Sequence, residues 1–259
     1  MSLLRFNAPL PVLAARLAAK KPVLIVALGS SSTQGIGASS PMAAYPYRLQ
    51  AELRGRFPAS DINVQNSGVS GQLATDMLAR VKKDVLPLHP AVVIWQTGVN
   101  DAMSHVDVAA FRETVQQGVE RMRSAGIDVV LLDMQYFPGA EKVRDFTRYL
   151  VTMRQIADQQ QIPILQRFAI MKHLVTSAQF TAPQLLAADL FHPNDLTYGC
   201  LGHMLADALQ DEVVQPDTAR AVAEHPVIER ADIERSGVAS EHALQAATTT
   251  GSITKAVSQ

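Results

Sequence analysis

Val23-Leu24-Ile25-Val26-Ala27-Leu28-Gly29-Ser30-Ser31-Ser32-Thr33-Gln34-Gly35 is the stretch from which the fold is read. Its first six residues are apolar without alternation, the pattern of a strand covered on both faces, and the run is far too short to span a bilayer. It breaks at Gly29 into seven small or polar residues. The same break recurs downstream. Ile62–Gln65 runs into Asn66-Ser67-Gly68-Val69-Ser70-Gly71, and Val92–Gln96 runs into Thr97-Gly98-Val99-Asn100-Asp101. Val129–Leu132 and, with a weaker pattern, Ile162–Leu165 complete a set of five predicted strands.

Between the strands lie segments with helical spacing. Tyr45–Phe57 sets Leu49 and Leu53 on one face and Arg48, Glu52 and Arg56 on another. Leu73–Leu86 (Met77, Leu78, Val81, Val85), Phe111–Ala125 (Val115, Val119, Met122), Phe146–Gln161 (Leu150, Met153, Ile156) and Leu196–Val213 (Leu201, Leu205, Leu209) repeat the pattern. Strands alternating with helices imply parallel pairing through right-handed crossovers. The expectation is an α/β three-layer sandwich with a five-stranded parallel sheet, flavodoxin-like in strand order. Beyond about Pro216 the texture turns to charge and Ala, then to small polar residues, and reads as a C-terminal extension over residues 216–259, helical in part and partly disordered.

Composition narrows the function. The 259 residues are 47% hydrophobic and 18% charged with a formal net charge of −1, which excludes a strongly basic nucleic-acid binder. One cysteine, Cys200, excludes a disulfide framework and a Cys-rich zinc module, and reads as a small core residue. No histidine pair has metal-ligand spacing with a matching carboxylate, so no metal is expected. Gly29–Gly35 is followed by Ile36 rather than the Lys-Ser/Thr of a phosphate-binding loop, and Gly35-Ile36-Gly37 lacks the third glycine of a dinucleotide fingerprint. No cofactor, no nucleic-acid partner and no transmembrane segment are expected. The N-terminus lacks the features of a secretory signal, so the chain as written reads as cytoplasmic, with a periplasmic or secreted form open if a leader has been removed. Oligomeric state is not readable.

In an open parallel sheet the ligand crevice lies outside the carboxyl ends of the strands, so the polar clusters should converge there. A fourth cluster, Asp189-Leu190-Phe191-His192-Pro193, lies in the loop well beyond the fifth strand. Together these supply a hydroxyl, an imidazole, a carboxylate and candidate oxyanion donors, the equipment of acyl transfer. The three-residue spacing of Asp189 and His192 lets one tight turn bring both side chains together, and Pro193 biases His192 away from helical angles.

At these residues the chain resembles the SGNH (GDSL-type) hydrolase superfamily over roughly Val23 to Leu209. Gly29-Ser30-Ser31-Ser32-Thr33 is similar to that family's nucleophile block, Asn66-Ser67-Gly68 to its second, Gly98-Val99-Asn100-Asp101 to its third and Asp189-Leu190-Phe191-His192-Pro193 to its fourth. The resemblance implies one catalytic domain over residues 1–215, Ser31 as nucleophile, His192 as base and Asp189 as its orienter. It implies an oxyanion hole from the Ser31 and Gly68 amides and the Asn100 side chain. One departure is Ser30, where the family usually carries aspartate. Tyr136 and Phe137, after the fourth strand, are candidate substrate-lining residues. The expected activity is hydrolysis of carboxylic esters, short-acyl (acetyl) esters foremost, of a small molecule or a glycan. The rivals are acyl transfer to a sugar hydroxyl by the same residues and a carbohydrate- or lipid-binding module with decayed chemistry. An α/β-hydrolase would need a Gly-x-Ser-x-Gly elbow, and Thr33 stands where its last glycine would be.

Overall fold

A computed structural model describes Phe6 and residues 8–214. The expected extension over residues 216–259 lies outside the described residues. Five strands form one parallel sheet: β1 (Val23–Gly29), β2 (Ile62–Gly68), β3 (Val92–Gln96), β4 (Asp128–Leu132) and β5 (Ile164–Leu165). Their order is β2-β1-β3-β4-β5, the flavodoxin-like order expected. Register aligns the carboxyl ends: Gly29 pairs with Gly68, Leu28 with Trp95, Gln96 with Leu132, and Leu132 with Leu165. Chain direction across the sheet reverses between β1 and β3, and a crevice opens at such a switch point.

Ten α-helices accompany the sheet among the described residues: α1 (Pro11–Ala18), α2 (Ser31–Gln34), α3 (Tyr45–Arg56), α4 (Ala74–Asp84), α5 (Val99–Met103), α6 (Val108–Ser124), α7 (Phe146–Gln160), α8 (Arg167–Thr176), α9 (Ala182–Leu185) and α10 (Asp195–Val214). The long amphipathic ones fall where their spacing predicts. Five others lack a readable stripe. α2 and α5 are single turns of largely small and polar residues, and α1 offers only Leu13 and Leu17 as a buried pair. α1 is held from outside its own sequence, since Leu13 N donates to Asp128 Oδ2 at 2.9 Å.

Side chains alternate across each strand and feed two cores. Val26, Leu28, Val93, Trp95, Val129 and Leu131 face Met77 and Val81 of α4, Val115 and Met122 of α6, and Met153 and Ile156 of α7. Ile25, Ala27, Val92, Ile94, Val130 and Leu132 face Leu13 of α1, Leu49 and Leu53 of α3, and Leu201 and Leu205 of α10. Burying one such leucine contributes about 1.5–3 kcal/mol, so the two layers fix the sheet and leave its carboxyl edge free for polar chemistry. Cys200 corrects the sequence expectation: it is exposed rather than in the core, because α10 turns Leu201 and Leu205 toward the sheet and its neighbour outward. No helix among the described residues is long and apolar enough to cross a membrane.

Candidate active site

The nucleophile block follows β1 directly. Ser30 follows the last strand residue and precedes α2, and its carbonyl accepts from Thr33 N at 3.1 Å and Gln34 N at 2.9 Å, closing the turn of α2. Ser31 is the first residue of that turn, where a backbone N–H has no intrahelical partner. No acceptor takes the Ser31 amide among the described residues. The three consecutive serines have three different partners. Ser30 Oγ and Ser30 N both reach Gln96 Oε1, at 3.2 and 3.0 Å. Ser32 Oγ reaches Gln135 Oε1 at 3.4 Å. Ser31 Oγ lies 2.9 Å from His192 Nε2. Where the family usually carries aspartate, Ser30 is buried and shares one carbonyl oxygen with Thr33 Oγ1, 3.0 Å away.

The histidine loop is a pinched turn. Leu186 and Pro193 form an antiparallel bridge, Ala187 N donates to His192 O at 2.8 Å, and Asn194 Nδ2 donates to Gln184 O at 2.8 Å. Asp189 Oδ1 accepts from Phe191 N at 3.0 Å and His192 N at 2.9 Å, while Oδ2 lies 2.6 Å from His192 Nδ1. Burial alone would raise the Asp189 carboxyl. The hydrogen bonds from the His192 side chain and the two amides outweigh it and bring the carboxyl down to about 2. An ionised carboxylate only accepts, so Nδ1 carries the ring proton and Nε2 presents a lone pair to the Ser31 hydroxyl. The Phe191 ring stands edge-on to the imidazole, with centroids 5.0 Å apart. The structure therefore brings Ser31, His192 and Asp189 into one hydrogen-bonded line.

The donor side differs from expectation at one residue. Gly68 is the last residue of β2, which runs three residues past its apolar part. Its N–H donates to Asn66 Oδ1 at 2.9 Å, so it is not free for a substrate oxygen. Its glycine character has a steric cause instead: a Cβ there would lie 2.6 Å from Gln34 Cα and Thr33 C, inside the backbone of α2. Asn100, in α5, gives one of its two amide protons to Gln72 O at 2.8 Å and keeps the other. Gly71, at φ +78° in the turn before Gln72, has open space around it and no acceptor for its N–H among the described residues. Asp101 is buried, and its two oxygens accept from Ala74 N at the start of α4, at 3.1 and 3.3 Å.

Phe137 also departs from expectation. Only 6% of it is exposed, and it packs on Phe191 at 4.8 Å and Phe146 at 5.7 Å, so it braces the histidine loop rather than lining a cleft. Tyr136 is half-buried, with its ring edge-on to Phe168 at 5.7 Å. Sequence reasoning missed Gln96 and Gln135, each with a side-chain oxygen on a serine of the nucleophile turn. Their signal was a buried polar residue closing an apolar run, in Val92-Val93-Ile94-Trp95-Gln96 and in Leu131-Leu132-Asp133-Met134-Gln135. Among the described residues no three His, Cys, Asp or Glu side chains cluster as metal ligands.

With this geometry in place, comparison with known proteins gives the family. The model of the non-GDSL lipase-like family matches residues 1–215. The chain belongs to that family. An acetylxylan esterase of Geobacillus stearothermophilus is 25% identical over 166 residues, covering 59% of this chain and 72% of the relative. Esterase TesA of Pseudomonas aeruginosa is 27% identical over 139 residues, covering 53% and 67%. Among solved structures, a two-domain esterase (CEX) active on acetylated mannans superposes with a TM-score of 0.71 at 22% identity over 87% of this chain. This chain spans 60% of that protein's length. The acetyl xylan esterase AlAXEase superposes with a TM-score of 0.60 at 20% identity, over 72% of this chain and 99% of its own. The fold is that of the SGNH/GDSL-type hydrolases, and family and curated relatives together make this member of the non-GDSL lipase-like family a carboxylic ester hydrolase.

Proposed function

We propose that this hydrolase removes short acyl groups, acetyl foremost, from carbohydrate esters, with Ser31 as nucleophile, His192 as general base and acid, and Asp189 as the group that orients the imidazole and stabilises its protonated form. The observation that carries the reading is the unbroken line from Ser31 Oγ to His192 Nε2 (2.9 Å) and from Nδ1 to Asp189 (2.6 Å), at the carboxyl edge of the sheet. These distances are within reach for proton transfer in the ground state. His192 takes the hydroxyl proton as Ser31 Oγ attacks the ester carbonyl. The resulting imidazolium is stabilised by Asp189 and gives its proton to the departing sugar hydroxyl. Water then attacks the acyl-enzyme by the same steps, releasing acetate and the free serine.

The negative oxygen of each tetrahedral intermediate is received by the Ser31 amide and by the uncommitted proton of the Asn100 side chain. Gly71, rather than Gly68, supplies the third donor, because its amide is free and its neighbour Gln72 already holds Asn100. The acetyl and carbohydrate preference is drawn from relatives named for acetylxylan and acetylated mannans.

The test is a panel of 4-nitrophenyl acetate, butyrate and octanoate together with acetylated xylo- and manno-oligosaccharides, run with Ser31→Ala as the blank. Acetate release from the oligosaccharides and a kcat/KM at least about tenfold higher for acetate than for octanoate are expected, a ratio within the reach of pocket discrimination. A preference for octanoate, or oligosaccharides left acetylated, overturns the substrate assignment. Transfer of acetyl to an added alcohol in place of hydrolysis would make the enzyme a transferase.

A further inference from the structure

The three loops that supply oxyanion donors come from three strands, and one side chain outside all four motifs ties them together. Arg80 lies on α4, with its side chain 11% exposed. Its Nε donates to Gln72 Oε1 at 2.7 Å. Its Nη1 donates to Ser67 Oγ at 2.7 Å, with Asp84 Oδ2 at 3.5 Å. Its Nη2 donates to Ser67 O at 2.7 Å and to Gly29 O at 3.2 Å. Gly29 O, which also accepts from Val69 N at 3.0 Å, is two residues before Ser31. Ser67 O precedes the turn that carries Gly71. Gln72, whose side chain Arg80 holds, uses its own carbonyl to orient Asn100.

We propose that Arg80 is the positioning residue of the oxyanion pocket. It rests on Ser31-centred ester hydrolysis and adds to it the element that keeps the donors of β1, β2 and β3 in one geometry. The physical case is the guanidinium fork. A largely buried cation is tolerated only when its donors are satisfied, and here every nitrogen reaches the end of β1, the end of β2 or the turn after β2, with Asp84 beside Nη1. A lysine offers a point charge without that planar fork and cannot hold three separate acceptors in fixed directions. Arg80 touches no reacting atom. Its effect passes through donor alignment, and a misplacement of order 1 Å costs about a hundredfold in rate.

The experiment measures 4-nitrophenyl acetate hydrolysis by wild type, Arg80→Met, Arg80→Lys, Asn100→Ala and the Arg80→Met/Asn100→Ala double variant, with thermal unfolding of each. Loss of alignment predicts a kcat for Arg80→Met lower by about 10- to 100-fold, a KM within about threefold, and little rescue by Arg80→Lys. It also predicts strong coupling, with the double variant no more than about threefold below Asn100→Ala alone. A residue that only stabilises the fold would lower the unfolding temperature and leave these kinetic effects independent. An Arg80→Met kcat within twofold of wild type, or losses that multiply in the double variant, overturns the proposal. If Arg80→Met does not fold, Gln72→Ala decides: a kcat loss coupled to Asn100→Ala supports the clamp, and an unchanged kcat overturns it. Labelling of wild type by a fluorophosphonate keeps the two readings apart. Ser31 labelled with Arg80→Met fully active refutes the clamp alone, whereas an active enzyme in which Ser31 neither labels nor matters refutes the underlying hydrolysis reading and the clamp with it.

Discussion

The two halves of the site are built in opposite ways. On the relay side, Asp189, His192 and Ser31 meet side chain to side chain, and the acid and base share one pinched turn. On the proposed donor side the groups are backbone amides and one carboxamide, and the contacts around them are carbonyls and the Arg80 guanidinium from a helix. Their aspartates differ in the same sense. Asp189 is half exposed, and three hydrogen bonds hold it down at about 2. Asp101 is buried, and desolvation outweighs its bonds from Ala74 N and raises it to about 6. The relay carboxylate keeps its charge down to low pH, whereas Asp101 serves as a buried strut whose oxygens take the Ala74 amide. Side-chain identity determines the first half and backbone geometry the second.

The largest effect that bears on this contrast should come from the relay. Asp189→Ala removes the carboxylate that fixes the imidazole tautomer, and kcat for 4-nitrophenyl acetate should fall by roughly 10³- to 10⁴-fold. Because Asp189 sits at about 2, wild-type kcat/KM should show no limb from this carboxyl above about pH 4. A drop of less than about tenfold in Asp189→Ala would mean that His192 is oriented by the loop alone. Next comes the donor side. Asn100→Ala should slow turnover by about 10²- to 10³-fold, the cost of one oxyanion donor. An effect below about threefold would place the developing charge elsewhere.

Asn66→Ala frees the Gly68 amide, so it should change kcat by less than about threefold and lower stability by only about 0.5–1.5 kcal/mol, the worth of one hydrogen bond. A large rise in kcat on freeing that amide would restore Gly68 as a donor.

The smallest effect is electrostatic. A carboxyl raised in the folded state binds its proton more tightly there than in the unfolded chain, so it favours folding below the unfolded value near 4 and loses that contribution as pH rises through about 6. Asp128, raised to about 6, and Asp133, raised to about 7, act in the same direction. Thermal stability should therefore fall as pH rises between about 4 and 7, and Asp101→Asn, which keeps an acceptor for Ala74 N, should flatten part of that slope. An unchanged slope in Asp101→Asn would mean that its carboxyl is solvated.

Much of this was legible in the chain. Runs such as Val92–Gln96 are buried on both faces, and the parallel sheet follows from their alternation with amphipathic segments. The Asp189–His192 spacing carried its own geometry, since a three-residue step in a turn is what lets Oδ2 reach Nδ1. What stayed hidden depends on neighbours distant in sequence. Gly68 reads as a donor in its motif, but whether its amide is free depends on Asn66 folding back and on α2 lying across it. Phe137 reads as a cleft residue until Phe146 and Phe191 enclose it. Arg80 lies in the helical stretch Ala79-Arg80-Val81-Lys82 with no motif around it, and only the strand ends and the turn beside it reveal its four acceptors.

The relay itself is tested most directly by finding which of three adjacent serines reacts. A fluorophosphonate forms a stable adduct only with a hydroxyl activated by a base and faced by oxyanion donors. Peptide mapping after labelling should place the phosphonyl group on Ser31 alone, and Ser31→Ala should abolish both labelling and acetate release. An adduct on Ser30 or Ser32, or full esterase activity in Ser31→Ala, would contradict the account.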